Sequence, residues 1–148
     1  MSTSIQGLIP EFRPFAKAFV QVVGNAGLLP RITSTRRTSA EQTRLYDAYI
    51  ARGRTGLPAA PPGTSAHEYG YAFDMVVSPF AYLSFVGSYW NQLGGVWHPS
   101  DPVHFEYPGF KPPEAIDTFW RTIYKGLDYA SWIATPLGVR WVGPGPEP

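Results

Sequence analysis

Cysteine is absent from the 148 residues. That excludes a disulfide framework and any thiolate-held metal, and it leaves the compartment open. Charge is sparse as well: 16% of residues are charged and the net charge is +1 at pH 7, so the chain lacks the broad basic footprint of a nucleic-acid binder. No run approaches the roughly 18 apolar residues of a spanning helix, and the first residues show no basic stretch followed by an apolar core. The expectation is a soluble chain without a membrane span or a cleaved signal. No internal repeat is visible. Aromatic residues, by contrast, make up 16% of the chain and hydrophobic residues 44%, which argues against disorder and suits one domain with a single sizeable core.

Apolar residues at mixed three-and-four spacing from Phe12 to Val23 predict an amphipathic helix begun by Pro10 and ended near Gly24. Arg31 to Thr35 is β-prone, and Ser39 opens a second helix, as its hydroxyl N-cap, running to Gly53. This leaves Arg36 and Arg37 on the connecting loop, with Arg36 expected in solvent. The Gly- and Pro-rich stretch from Gly53 to Gly63 reads as a loop with stiff segments. Pro79 to Leu93 reads as a buried helix whose aromatic stripe of Tyr82, Phe85, Tyr89 and Trp90 belongs to the core rather than to a sugar platform. A last helix is expected over Pro112–Leu127. A first domain over 1–128 would then be followed by an aromatic, Gly/Pro-rich extension over 129–148 with a loose or extended tail.

The polar residues that matter lie between these helices. Tyr71 to Val77 reads as a strand, on which Asp74 points the same way as Ala72 and Val76. A lone carboxylate on an apolar face costs about 2 kcal/mol or more unless a cation or several donors meet it. His67 precedes the strand across a turn in which Gly70 lets the backbone bend back towards Asp74. A second short strand, Val103 to Tyr107, puts His104 and Glu106 on one face. Two histidines and a carboxylate, with one position left to water, form the ligand set of a catalytic zinc site.

The segment Ser65-x-His67-x-x-Gly70-x-Ala72-x-Asp74, followed by Asp101-x-x-His104-Phe105-Glu106, resembles the zinc peptidoglycan peptidases. That family includes D-Ala-D-Ala carboxypeptidases, D-Ala-D-Ala dipeptidases and phage L-alanyl-D-glutamate endolysins. Thr33 to Gln42 is similar to the family's Ser-x-x-Arg-Ser/Thr…Gln segment, so the likeness spans roughly residues 30 to 107. It implies an α+β fold of the Hedgehog/D-Ala-D-Ala peptidase kind, a small antiparallel sheet carrying the ligands with helices packed on it.

By the resemblance, one zinc ion is held by His67, Asp74 and His104, and Asp101 is the general base. Arg37 holds a substrate carboxylate or carbonyl, Ser65 hydrogen-bonds the substrate or a group behind the ligands, and Gln42 braces the Arg37 loop. Glu106, and less favourably Glu68, stand as partners for the ligating imidazoles. Many family members carry Glu and Trp where this chain has Asp101 and Val103. The shorter acid matches the phage branch, so the first expectation is an L-alanyl-D-glutamate endopeptidase acting on stem peptides, with the D-Ala-D-Ala carboxypeptidase as alternative. The protein would act at the bacterial cell wall, released from a host cytoplasm or carried on a virion.

Plainer accounts compete with each assignment. The trio could be a self-satisfied buried polar group, Asp101 a turn residue before Pro102, and Arg37 a surface partner of Glu41. His98 is an alternative ligand or, more simply, a turn histidine. A non-haem iron oxygenase also uses two histidines and a carboxylate, but typically takes the first two ligands from one H-x-D strand. In a third class the fold is a non-catalytic virion or binding part whose Trp132 and Trp141 dock a protein partner.

Overall fold

The computed structural model describes residues 1–110, together with the backbone of two strands at 132–135 and 138–141. Strands β1 (Arg31–Ser34), β2 (Ala72–Val76) and β3 (His104–Glu106) form an antiparallel sheet in the order β1-β2-β3. Helix α1 (Arg13–Asn25) precedes β1, α2 (Ser39–Ala51) follows it, and α3 (Leu83–Gln92) lies between β2 and β3. The expected α+β arrangement of a small antiparallel sheet with packed helices is the one observed.

Alternation on β2 divides the molecule. Phe73 and Met75 are fully buried against α1 and α3, where Phe12, Phe19, Leu83 and Trp90 complete the core. Phe73 stacks on Phe105 of β3 with ring centroids 5.4 Å apart. Asp74, half-buried, faces the other way. On β3 the same alternation buries Phe105 and turns His104 and Glu106 to the side of Asp74.

Strand β1 carries a bulge: Ile32 pairs with Met75 and Ser34 with Asp74, so Thr33 is the extra residue. Asp74 thereby has Ser34 opposite it on one side and His104 on the other. The chain then leaves the sheet at Thr35, whose N–H donates to Ser2 O at 2.7 Å.

Several local expectations need correction. Helix α1 starts at Arg13, with Pro14 in its first turn where a missing N–H is harmless. Thr38, not Ser39, caps α2: its hydroxyl accepts from Glu41 N, and the Glu41 carboxylate returns the bond. Ser39 turns inward instead. Helix α3 buries only Leu83, Val86, Gly87 and Trp90, while Tyr82, Phe85 and Tyr89 are exposed, so most of the aromatic stripe assigned to the core faces solvent. Arg36 is half-buried rather than solvated, donating from Nε to Gly7 O at 2.8 Å.

Strands β4 (Trp132–Thr135) and β5 (Gly138–Trp141) pair antiparallel within the aromatic, Gly/Pro-rich extension. The helix expected over 112–127, the boundary at 128 and the 143–148 tail lie outside the described residues. Among the described residues no helix is long and apolar enough to cross a membrane.

Candidate metal centre

His67 sits on a 3-10 turn, Ala66–Tyr69, built by a second capping box: the Ser65 hydroxyl caps the turn and the Glu68 side chain returns to the Ser65 N–H. Gly70 closes the turn at φ 76 in the left-handed region. A Cβ there would lie 2.9 Å from Gly7 O and 3.1 Å from Ile9 N, so only glycine fits. The turn delivers His67, fully buried, to the face of β2 that carries Asp74.

His67 Nε2 lies 3.0 Å from Asp74 Oδ1 and 3.2 Å from His104 Nδ1. His104 Nδ1 in turn is 3.5 Å from Asp74 Oδ1. These three atoms all fall within 4.8 Å of one another. The protonation of the two rings follows from what their far sides touch. His67 Nδ1 lies 2.7 Å from the carbonyl of Thr35, an acceptor only, so Nδ1 carries the proton and Nε2 offers a lone pair. His104 Nε2 lies 3.0 Å from Glu106 Oε1, which places its proton there and leaves Nδ1 as the second lone pair.

With neutral imidazoles, three acceptors therefore converge with no hydrogen between them. Such a centre needs a cation, and the donor set of two imidazoles and one carboxylate suits a single metal ion. The alternative occupant is a proton. Burial lowers the pKa of His67 despite its Asp74 neighbour. Burial also works against charging His104, but hydrogen bonds to Asp74 and Glu106 outweigh it and raise its pKa to about 9. Asp74 stays ionised: burial pushes its carboxyl up, but His67, His104 and Arg37 together hold it well below the usual carboxylate range.

Arg37 does not reach towards Glu41. Its guanidinium donates to Asp74 Oδ2 at 2.6 Å, Gln42 Oε1 at 3.2 Å and Ser34 Oγ at 3.1 Å. Gln42, fully buried, is itself held by donating to Ala60 O at 2.8 Å. Glu41 instead pairs with the Met1 ammonium at 2.9 Å. Ser65 Oγ accepts from His67 N, and so braces a candidate ligand from behind. Glu68 does not touch an imidazole. Its buried carboxylate accepts from Ser39 Oγ at 3.0 Å and Gly63 N at 2.9 Å, and burial raises its pKa to about 7. The Ser65-x-x-Glu68 spacing is a sequence signature of that arrangement, whereas the Thr35 carbonyl behind His67 leaves no trace in the sequence. His98 is exposed and stands outside the cluster.

The cluster opens into a cavity of about 720 Å³. Its walls include Arg37, Asp101 and Glu106 near the cluster, with Tyr49, Arg52 and Leu57 from α2 and the following loop. Burial raises the pKa of Asp101, against the pull of His104. A half-buried carboxyl beside a candidate metal centre, tuned upward, has the character of a proton carrier. The side chains of Trp132 and Trp141, expected to dock a partner, lie outside the described residues.

A family model described as VanY, D-alanyl-D-alanine carboxypeptidase, matches residues 7–92. Among solved structures, VanYB in complex with D-alanine-D-alanine is similar at 21% identity and a TM-score of 0.56, over 82% of this chain and 80% of that one. A variant of the vancomycin-resistance D,D-pentapeptidase VanY, in complex with Zn(II), is similar at 21% identity and a TM-score of 0.57, over 82% and 81%. The LdcB LD-carboxypeptidase is similar at 18% identity and a TM-score of 0.55, over 82% and 68%. No curated protein matches the chain significantly in sequence.

Proposed function

The chain belongs to the VanY D-alanyl-D-alanine carboxypeptidase family, a family of hydrolases, and from that we propose that it is a zinc peptidase of peptidoglycan stem peptides, cleaving the terminal D-Ala-D-Ala bond. The observation that carries the proposal is the convergence of His67 Nε2, Asp74 Oδ1 and His104 Nδ1 within 4.8 Å. The family match ends at residue 92, so Asp101 and His104 enter on geometry and resemblance alone.

His67, Asp74 and His104 would hold the zinc ion, which would supply Lewis acidity for the scissile carbonyl and for water, whose pKa it would lower towards roughly 7. The protein's own groups do the rest. Asp101 takes the proton of the attacking water on its carboxylate and returns it to the leaving amine; burial, which raises its pKa, makes it the stronger base for the first half of that exchange. Arg37 occupies Asp74 Oδ2 and so presents Oδ1 alone to the cluster. Its engaged donors number three of five, which leaves the remainder for an oxygen of the substrate. Glu106 fixes the ring of His104, and the Thr35 carbonyl that of His67. Acting on this substrate places the protein at the bacterial cell wall.

A second reading, L-alanyl-D-glutamate endopeptidase, is favoured by the short acid at Asp101. Purified muropeptides incubated with zinc-loaded and with chelated protein, and followed by mass spectrometry, separate the two. Zinc-dependent loss of one D-alanine supports the carboxypeptidase, and release of the stem peptide at L-Ala–D-Glu supports the endopeptidase. Unchanged muropeptides with a stoichiometric zinc load refute both.

A further inference from the structure

The carbonyl that orients His67 belongs to a residue with its own anchorage. Thr35 is fully buried just beyond β1. Its hydroxyl donates to Ser4 O at 2.7 Å and lies 3.3 Å from both Ser2 O and Ser2 Oγ, while its N–H donates to Ser2 O. Residues 2–4 thus run beside the end of β1 and hold Thr35 through its N–H and its hydroxyl. Gly7 closes the arrangement from above: a Cβ there would lie 2.9 Å from Thr35 Oγ1 and 3.1 Å from Arg36 Cβ.

We propose that Thr35 is a positioning residue for the metal centre, its hydroxyl anchored on Ser4 so that its carbonyl fixes the tautomer and ring plane of His67. The inference rests on the zinc reading above. The backbone carbonyl alone does not ensure this orientation, because Thr35 follows a bulge and has left the β1–β2 ladder. The bond of Thr35 N to Ser2 O fixes the preceding peptide and that of Oγ1 to Ser4 O fixes the side chain, and together they hold the Cα from which the carbonyl projects. Groups that orient a ligating imidazole in this way typically govern metal affinity by roughly 10- to 100-fold.

The test is Thr35→Val, which keeps the shape and the branching and deletes the hydroxyl. Ser4 is exposed, so water can satisfy its carbonyl and the fold survives. Zinc affinity, measured by competition with a chromophoric chelator, is expected to fall 10- to 100-fold, with an altered visible spectrum for the cobalt form. In the metal-free protein the His67 Nδ1 proton should exchange faster with solvent, a readout independent of any metal. Thr35→Ser should restore all three. Thr43→Val, which removes a comparable hydroxyl bond to Ser39 O within α2, should change none. Should Thr35→Val not fold, Gly7→Ala crowds the same hydroxyl and should weaken zinc in the same direction. Unchanged zinc affinity and unchanged proton exchange in folded Thr35→Val overturn the proposal while leaving the zinc reading intact. Failure of the unsubstituted protein to bind zinc overturns both.

Discussion

Arg37 Nη2 stands 2.6 Å from Asp74 Oδ2, and both side chains are largely withdrawn from water. A residue expected to wait for substrate is thus already committed to a candidate metal ligand. Its replacement should be felt first in the metal-free protein, where Asp74 would lose a permanently charged partner.

Arg37→Gln is expected to lower the unfolding free energy of the metal-free protein by about 3 kcal/mol, the usual consequence of leaving one member of a buried ion pair alone. Saturating zinc should recover part of this, since it supplies positive charge to the same carboxylate. Denaturant unfolding with and without zinc measures both; equal losses in the two states would show that Arg37 acts only through packing.

Zinc must displace the proton of His104, whose pKa is raised to about 9. Apparent zinc affinity should therefore rise roughly tenfold per pH unit up to about 9 and level off beyond it. The metal-free protein should behave in the opposite sense. A histidine whose folded pKa exceeds its unfolded value of about 6.5 contributes stability that is complete below that value and disappears as pH climbs through about 9. Calorimetry near pH 7 in buffers of different ionisation enthalpy should find about one proton released per zinc bound. A pH-independent affinity would contradict this account.

Asp101→Asn should leave zinc content unchanged and reduce kcat by about 10²- to 10⁴-fold, the usual contribution of a positioned general base. Product analysis on muropeptides, normalised to bound zinc, distinguishes this from a loss of metal.

Gly70→Ala should destabilise the protein by more than about 1 kcal/mol, because the position combines a φ of 76 with close backbone neighbours at Gly7 and Ile9. Relief of the clash would move the turn that carries His67, so zinc affinity should fall with stability. Thermal unfolding and chelator competition on the same samples make the comparison.

Much of the centre was legible because its residues obey short-range rules. Alternation along β2 and β3 separates Asp74, His104 and Glu106 from Phe73 and Phe105, and that period can be read directly from the chain. The bend at Gly70 was equally local. What the sequence hid was long-range. Strand order, the pairing of Ser34 with Asp74 and the turning of Arg37 onto Asp74 depend on contacts between distant segments, and a backbone carbonyl such as that of Thr35 has no side-chain identity to betray it. Arg36 and the stripe of Tyr82, Phe85 and Tyr89 were misjudged for a related reason. Residue type sets how readily a side chain is buried, while the helix and loop placement around it decides whether it is.

Because β2 is the middle strand, Asp74 meets its two neighbours only after two separate lengths of chain have folded back, one from β1 and one through α3 to β3. The loop entropy of both closures must be met before all three side chains can share one ion. An ion that binds there ties His67 and Asp74 to His104, a strand that would otherwise hold the sheet's edge by three residues. Zinc in this molecule would thus be a lock on the completed topology, slowing the opening of β3 more than it hastens its arrival.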